Sequence, residues 1–221
     1  MRVRRVVDLS RRVDGNTQVF PGDPEVYLEP ATTLAAHGVN VLSVHIGSHS
    51  GTHVDAPYHF IEGGARIDEL DPRLFVGPAV LLDVRGKESR ERITAGDLRP
   101  YRDRLAVGAV AVVRTGWEDH YGTPRYYDHP FLEGGAAQLL LDAGVRTVAV
   151  DALNVDETVI EGEQPEGYPA HHLILGAGGV IAENLANLGA IDFPEPLISL
   201  LPVKLGGSDG APARAVAMEV V

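Results

Sequence analysis

The 221-residue chain contains no cysteine. Disulfides, thiolate zinc sites, iron–sulfur clusters and a cysteine nucleophile are therefore excluded, and any metal must be held by His, Asp or Glu. Basic residues are scarce: 19 Lys and Arg stand against 31 Asp and Glu, a formal charge of −12. No run of Lys or Arg is longer than two, so a surface that tracks phosphates has no support and nucleic acid is not an expected partner. Long apolar runs are also missing. No stretch approaches the roughly 18 residues of a membrane-spanning helix, so a membrane is not an expected partner either. Before Asp8 the chain has Arg2, Arg4 and Arg5 but only Val6 and Val7 in sequence, too little for the apolar core of a signal peptide. The expectation is an uncleaved cytoplasmic protein.

Internal repeats, low-complexity tracts and Ser/Gly linkers are absent as well, which favours one domain spanning residues 1–221. Strands are expected at residues 41–46, 79–84, 107–114 and 147–150. The last two are nearly continuous apolar runs, as in strands covered on both faces, and should be central. A helix is expected at residues 134–143, with an apolar stripe of Ala136, Leu139, Leu140 and Ala143 and with Gly144 as its C-cap. A shorter one, capped by Thr94, is expected at residues 94–98. Helix, Gly turn and strand in that order resemble the return leg of a strand–helix–strand unit, so the fold class is mixed α/β. Gly- and Pro-rich loops at residues 20–29, 62–72, 161–169 and 206–212 are long enough to build a pocket rim.

Against this background the histidines are unevenly placed: of nine, His45, His49, His53 and His59 fall within fifteen residues. The segment from His49 to His59 also contains Asp55, a set of metal-ligand types. Gly47, Gly51 and Pro57 argue against a helix there. On a regular strand His49 and His53 would share a face but stand roughly 13 Å apart, at about 3.3 Å per residue. A bulge or tight turn at Ser50-Gly51-Thr52 removes the conflict, with Gly51 allowing the backbone to fold back. A His-rich surface loop, or histidines satisfied by core hydrogen bonds, is the alternative. His45 lies within the alternating 41–46 strand and is expected only to line a pocket. A second cluster pairs His171 and His172 with Glu183, which closes the apolar stretch Val180-Ile181-Ala182. A buried carboxylate is costly unless paired or coordinated; a Glu capping a following helix is the other reading.

The run His49-Ser50-Gly51-Thr52-His53-Val54-Asp55-Ala56-Pro57-Tyr58-His59 resembles the HxGTHxDxPxH signature of the metal-dependent cyclase-like hydrolases, which include bacterial kynurenine formamidase and isatin hydrolase. The likeness extends to Asp8-Leu9-Ser10, Phe20-Pro21-Gly22-Asp23, Arg114-Thr115-Gly116-Trp117, Asp151 with Asp156, Glu183-Asn184-Leu185 and Leu201-Pro202-Val203-Lys204. The resemblance implies a compact domain with a mixed, partly barrel-like sheet flanked by helices. It also implies a homodimer or dimer of dimers in which the loop near Phe20 reaches the neighbour's pocket.

By the same resemblance, His49, His53 and Asp55 hold one divalent metal, and Asp55, His171 and Glu183 hold the second. His171 is preferred to His172 for its twelve-residue separation from Glu183. His59 corresponds to the proton donor and acceptor, with a third ligand or a structural histidine as its alternatives. Phe20 stands where formamidases of this family carry a Trp against the substrate. Tyr58, Trp117, Tyr126 and Tyr127 are further candidates for aromatic surface. The N/O donor set suits Zn or Mn, with Zn ranked first.

The implied activity is hydrolysis of a small aromatic N-formyl amide such as N-formylkynurenine. Ring opening of a cyclic amide or lactone is the enzymatic alternative. A noncatalytic metal or small-ligand binding module is the third reading, against which stands the retention of His59 beside a full ligand set.

Overall fold

Residues 110–113 and 148–150 are apolar at every position, a pattern that suits strands with no solvent face. In the computed structural model, which describes residues 2–159 and 167–221, they lie in the middle of a nine-stranded sheet. Its strands are β1 (Val3–Asp8), β2 (His53–Asp55), β3 (Val76–Asp83), β4 (Val110–Arg114), β5 (Thr147–Val150), β6 (Val180–Glu183), β7 (Leu197–Ser199), β8 (Gly210–Pro212) and β9 (Val216–Val220). They run in the order β1-β9-β7-β3-β4-β5-β6-β2-β8. The central four, β3 to β6, are parallel, and antiparallel strands flank them on both sides. The sheet is mixed and curls into a half-barrel, as the resemblance implied.

Alternation along the central strands builds two cores. Ala111, Val113, Val148, Val150 and Ile181 pack on one face against helices α1 (Gly134–Asp142) and α2 (Pro169–Gly176), through Ala136, Leu140, Ile174 and Leu175. Val110, Val112, Ala149, Val180 and Ala182 fill the opposite face with Phe75, Ile198, Leu200 and Ala217. Helix α1 is the crossover between the parallel strands β4 and β5. It ends one residue before the expected glycine: Ala143 is the cap, and Gly144 follows at φ 87°, a left-handed conformation that suits glycine. The expected cap at Thr94 forms a capping box with Asp97 over Ala95–Leu98. Strand β4 starts at Val110, three residues late, because Gly108 turns at φ 81°.

One expected strand takes a different place. Among the described residues Val41–His45 are extended but pair only with Tyr27–Thr32, forming a two-stranded ribbon separate from the main sheet. His45 is exposed there, with its ring 6.0 Å from Tyr27, and does not line the pocket. Of the expected loop at 161–169, residues 161–166 lie outside the described residues. Among the described residues no helix is long and apolar enough to cross a membrane.

Candidate metal centre

Strand register assembles the first half of the site. His53 and Asp55 are two apart on β2 and so share a face. Glu183, the last residue of β6, pairs directly with His53 and joins that face. The backbone reverses just before β2, where Gly51 has φ 66°, so the turn expected at this glycine is present. It brings the His49 and His53 rings to 5.0 Å between centroids. The His53 Nδ1–H donates to the Gly51 carbonyl at 2.8 Å, which leaves Nε2 as the nitrogen this ring can offer a cation.

The second half comes from α2. Asp156 accepts from the backbone N–H groups of Ala170 and His171 at 2.9 Å and from His171 Nδ1 at 2.8 Å. One carboxylate thus starts the helix and orients the ring, an arrangement common behind metal-binding histidines. His171 is buried whereas His172 is exposed, so the structure brings His171 and not His172 into the cluster.

Asp55 is the shared centre. Its Oδ1 lies 2.7 Å from His49 Nδ1 and 3.3 Å from His53 Nε2, and its Oδ2 lies 3.5 Å from His171 Nε2. Glu183 completes the ring, with Oε2 3.5 Å from His53 Nε2 and Oε1 3.6 Å from His171 Nε2. Most of these separations are long for hydrogen bonds. They match the spacing of two donors around one tetrahedral cation, each about 2.0–2.2 Å from it. Among the described residues His53 Nε2 and Asp55 Oδ2 are buried without a hydrogen-bond partner, a costly condition that a cation between them would relieve. The cluster therefore fits a metal. Donor atoms of His53, Asp55 and Glu183 lie within 4.8 Å of one another, and so do those of His49, Asp55 and His59. The grouping differs from the expected division, but Asp55 is common to both triads.

Without a cation, protons hold the cluster together. Burial disfavours a charged His49, but the Asp55 charge and hydrogen bonds to Asp209 and Asp55 outweigh it and raise the pKa to about 9. His171, also opposed by burial, is raised to about 10 through Asp156 and Asp55. Burial pushes Asp55 up, yet the facing His53 and His49 charges hold it well below the usual carboxylate range. His59, whose largest influence is burial, is lowered. For His49 and His171 the stabilisation of the folded, metal-free chain is complete below their ordinary value of 6.5 and disappears as pH rises through about 9 and about 10. The melting temperature of metal-free protein is expected to fall between pH 7 and pH 10, and that of zinc-loaded protein to fall less. Thermal melts across that range check this; parallel curves would contradict it.

A cavity of about 210 Å³ opens above the cluster. Phe20 and His59 line it, as do Phe60, Tyr168, Asn154 and Asn184. Its size suits a small metabolite more than a drug-sized ligand. Of the other aromatic candidates, Trp117 and Tyr126 are in the core, Tyr127 packs against it, and Tyr58 is exposed.

The family model described as "Putative cyclase" matches residues 7–157. The chain belongs to the cyclase family. It is 34% identical to a kynurenine formamidase of Salinibacter ruber, with 96% of each chain covered. Its fold matches isatin hydrolase A from Labrenzia aggregata at a TM-score of 0.86, with 25% identity over 97% of this chain and 93% of that one. It also matches a solved chain described as a "Potential Metal-Dependent Hydrolase With Cyclase Activity" at a TM-score of 0.78, with 27% identity and 98% of each chain covered.

Within this cyclase-family site, several neighbours were not among the candidates drawn from sequence. Phe60 and Tyr168 supply the aromatic wall beside Phe20. Asp209 reaches His49 and His59 from 160 and 150 residues away. The only sequence signal for Asp209 was its position in the Gly-rich loop 206–212. Gly210 beside it is a packing requirement, since a Cβ there would meet His49 Cε1 at 2.8 Å.

Proposed function

We propose that the chain hydrolyses a small aromatic N-formyl amide, with N-formylkynurenine as the first substrate to test. The observation that carries this reading is the buried carboxylate–histidine cluster, with its orphaned donor atoms, at the base of a small aromatic-walled cavity. Full-length similarity to a kynurenine formamidase supports the substrate class.

The candidate ligands are His49, His53, Asp55, His171 and Glu183, and five donor residues centred on the one Asp55 carboxylate favour two divalent cations, Zn before Mn. Bound there, such cations would supply Lewis acidity, lowering the pKa of a water toward neutrality and polarising the formyl carbonyl. Phe20, Phe60 and Tyr168 flank the aromatic ring and exclude water from it. Attack by the water oxygen on the formyl carbon is followed by cleavage of the C–N bond. His59, lining the cavity, takes the proton from the attacking water and returns it to the departing nitrogen, so the products are formate and the free amine. No covalent intermediate with the chain is required.

Similarity to isatin hydrolase A favours a second reading, ring opening of a cyclic aryl amide by the same chemistry. Initial rates on N-formylkynurenine and isatin, measured side by side with zinc-loaded protein, separate the two. Faster turnover of the formamide is expected; turnover of isatin alone transfers the assignment to the second reading, and turnover of neither contradicts both.

The two-stranded ribbon supports a homodimer. Tyr27, Leu34, Val39, Val41, Leu42, Val44 and Ile46 are all exposed on or beside it, and an isolated two-stranded ribbon is marginal in water. Between residues 27 and 46 only Glu29 is formally charged, in a chain of net charge −12. This is the surface where two like-charged chains can meet with the least repulsion. Val44→Asp is expected to convert a dimer to monomer in sedimentation velocity; a wild-type monomer, or a variant that stays dimeric, contradicts this use of the ribbon.

A further inference from the structure

Asp209 stands just before β8, and its backbone is fixed from both sides. The Ala56 N–H donates to the Asp209 carbonyl at 2.8 Å, and the Ile67 N–H donates to the Ser208 carbonyl at 3.0 Å. The Ser208 hydroxyl donates to the Gly210 carbonyl at 2.8 Å. The carboxylate so placed has Oδ2 3.0 Å from His49 Nε2 and 3.2 Å from His59 Nδ1. One oxygen therefore faces a nitrogen from each of two rings, whose centroids are 4.0 Å apart at an interplanar angle of 31°.

A carboxylate accepts hydrogen bonds and does not donate them, so both of these nitrogens carry hydrogen. With Nε2–H committed to Asp209, the nitrogen left for His49 to offer a cation is Nδ1; in the metal-free chain that atom also carries a hydrogen, donated to Asp55 Oδ1 at 2.7 Å, which a cation would displace. With Nδ1–H committed likewise, His59 keeps its lone pair on Nε2, in a ring that lines the cavity. An imidazole free in water selects neither arrangement this strictly.

We infer that Asp209 is a positioning residue that holds the ring hydrogen on His49 Nε2 and on His59 Nδ1, leaving Nδ1 of one for a cation and Nε2 of the other for the reacting amide. The catalytic half of this assignment rests on the hydrolase reading above, whereas the His59 tautomer is a property of the chain itself.

Nitrogen–proton correlation spectra of metal-free protein labelled at histidine nitrogen report which ring nitrogen carries hydrogen. Wild type is expected to show Nδ1–H for His59, and Asp209→Ala to lose it. In chelator competition, Asp209→Ala is expected to bind zinc about 10–100-fold more weakly, with a similar loss in kcat on N-formylkynurenine. Asp209→Asn keeps one acceptor oxygen and almost the same shape, so it should fall between the two and carries the same test if the alanine variant does not fold. Unchanged tautomers together with wild-type zinc affinity in both variants would overturn the assignment. These two readouts decide it whether or not any formamide is turned over.

Discussion

Replacing His59 with alanine is expected to lower kcat by about 10²–10⁴, the usual contribution of a positioned acid–base group, while zinc content stays at the wild-type level. The argument is geometric. His59 lines the cavity and is held through Nδ1 by Asp209, whereas the His53, Asp55, His171 and Glu183 donors close around one another without it. Its lowered pKa has the right direction for a group that must begin as a base at neutral pH. Elemental analysis alongside kinetics distinguishes the alternative raised by its proximity to His49 and Asp55: if His59 is a ligand, the variant loses metal together with activity. Full activity in the variant would remove His59 from the mechanism.

Asp55→Ala is expected to have a wider effect. Asp55 is 1% exposed and is the carboxylate that His49, His53 and His171 all face. Its removal takes a donor from both candidate triads, so the variant should retain no zinc after desalting and show no measurable hydrolysis. The folded chain should suffer too, because the buried His53 and His171 and the half-buried His49 lose their common counter-charge. Breaking such a buried pair from one side costs about 3–5 kcal/mol. Urea denaturation of wild-type and variant protein, both metal-free, measures that cost. A variant that binds zinc as wild type does would show that Asp55 is not shared between the triads.

The parts of this molecule legible in sequence are those carried by local pattern. Continuous apolar runs placed β4 and β5 at the centre of the sheet, and Gly51 between two histidines required a reversal that the backbone makes at φ 66°. The run from His49 to His59 supplied half of the site because β2 and its turn are contiguous. What local pattern alone did not carry depends on long-range register. Glu183, named through the resemblance, reaches the site because β6 pairs with β2, and Asp209, which the sequence did not single out, because β8 pairs with β2 on the other side. Asp156, which starts α2, holds the His171 ring toward the cluster, whereas His172 is exposed. The strand expected at 41–46 forms over Val41–His45, but alternation cannot tell a strand facing its own core from one left exposed in a ribbon.

The central claim is that the cluster around Asp55 holds catalytic metal. Its most direct test is elemental analysis of protein purified without chelator, with hydrolysis of N-formylkynurenine followed before chelation, after chelation and after zinc is restored. The account predicts close to two metals per chain and activity that disappears and returns with them. Protein that takes up no metal even from zinc-supplemented buffer, or that hydrolyses the amide equally well without it, would contradict the account.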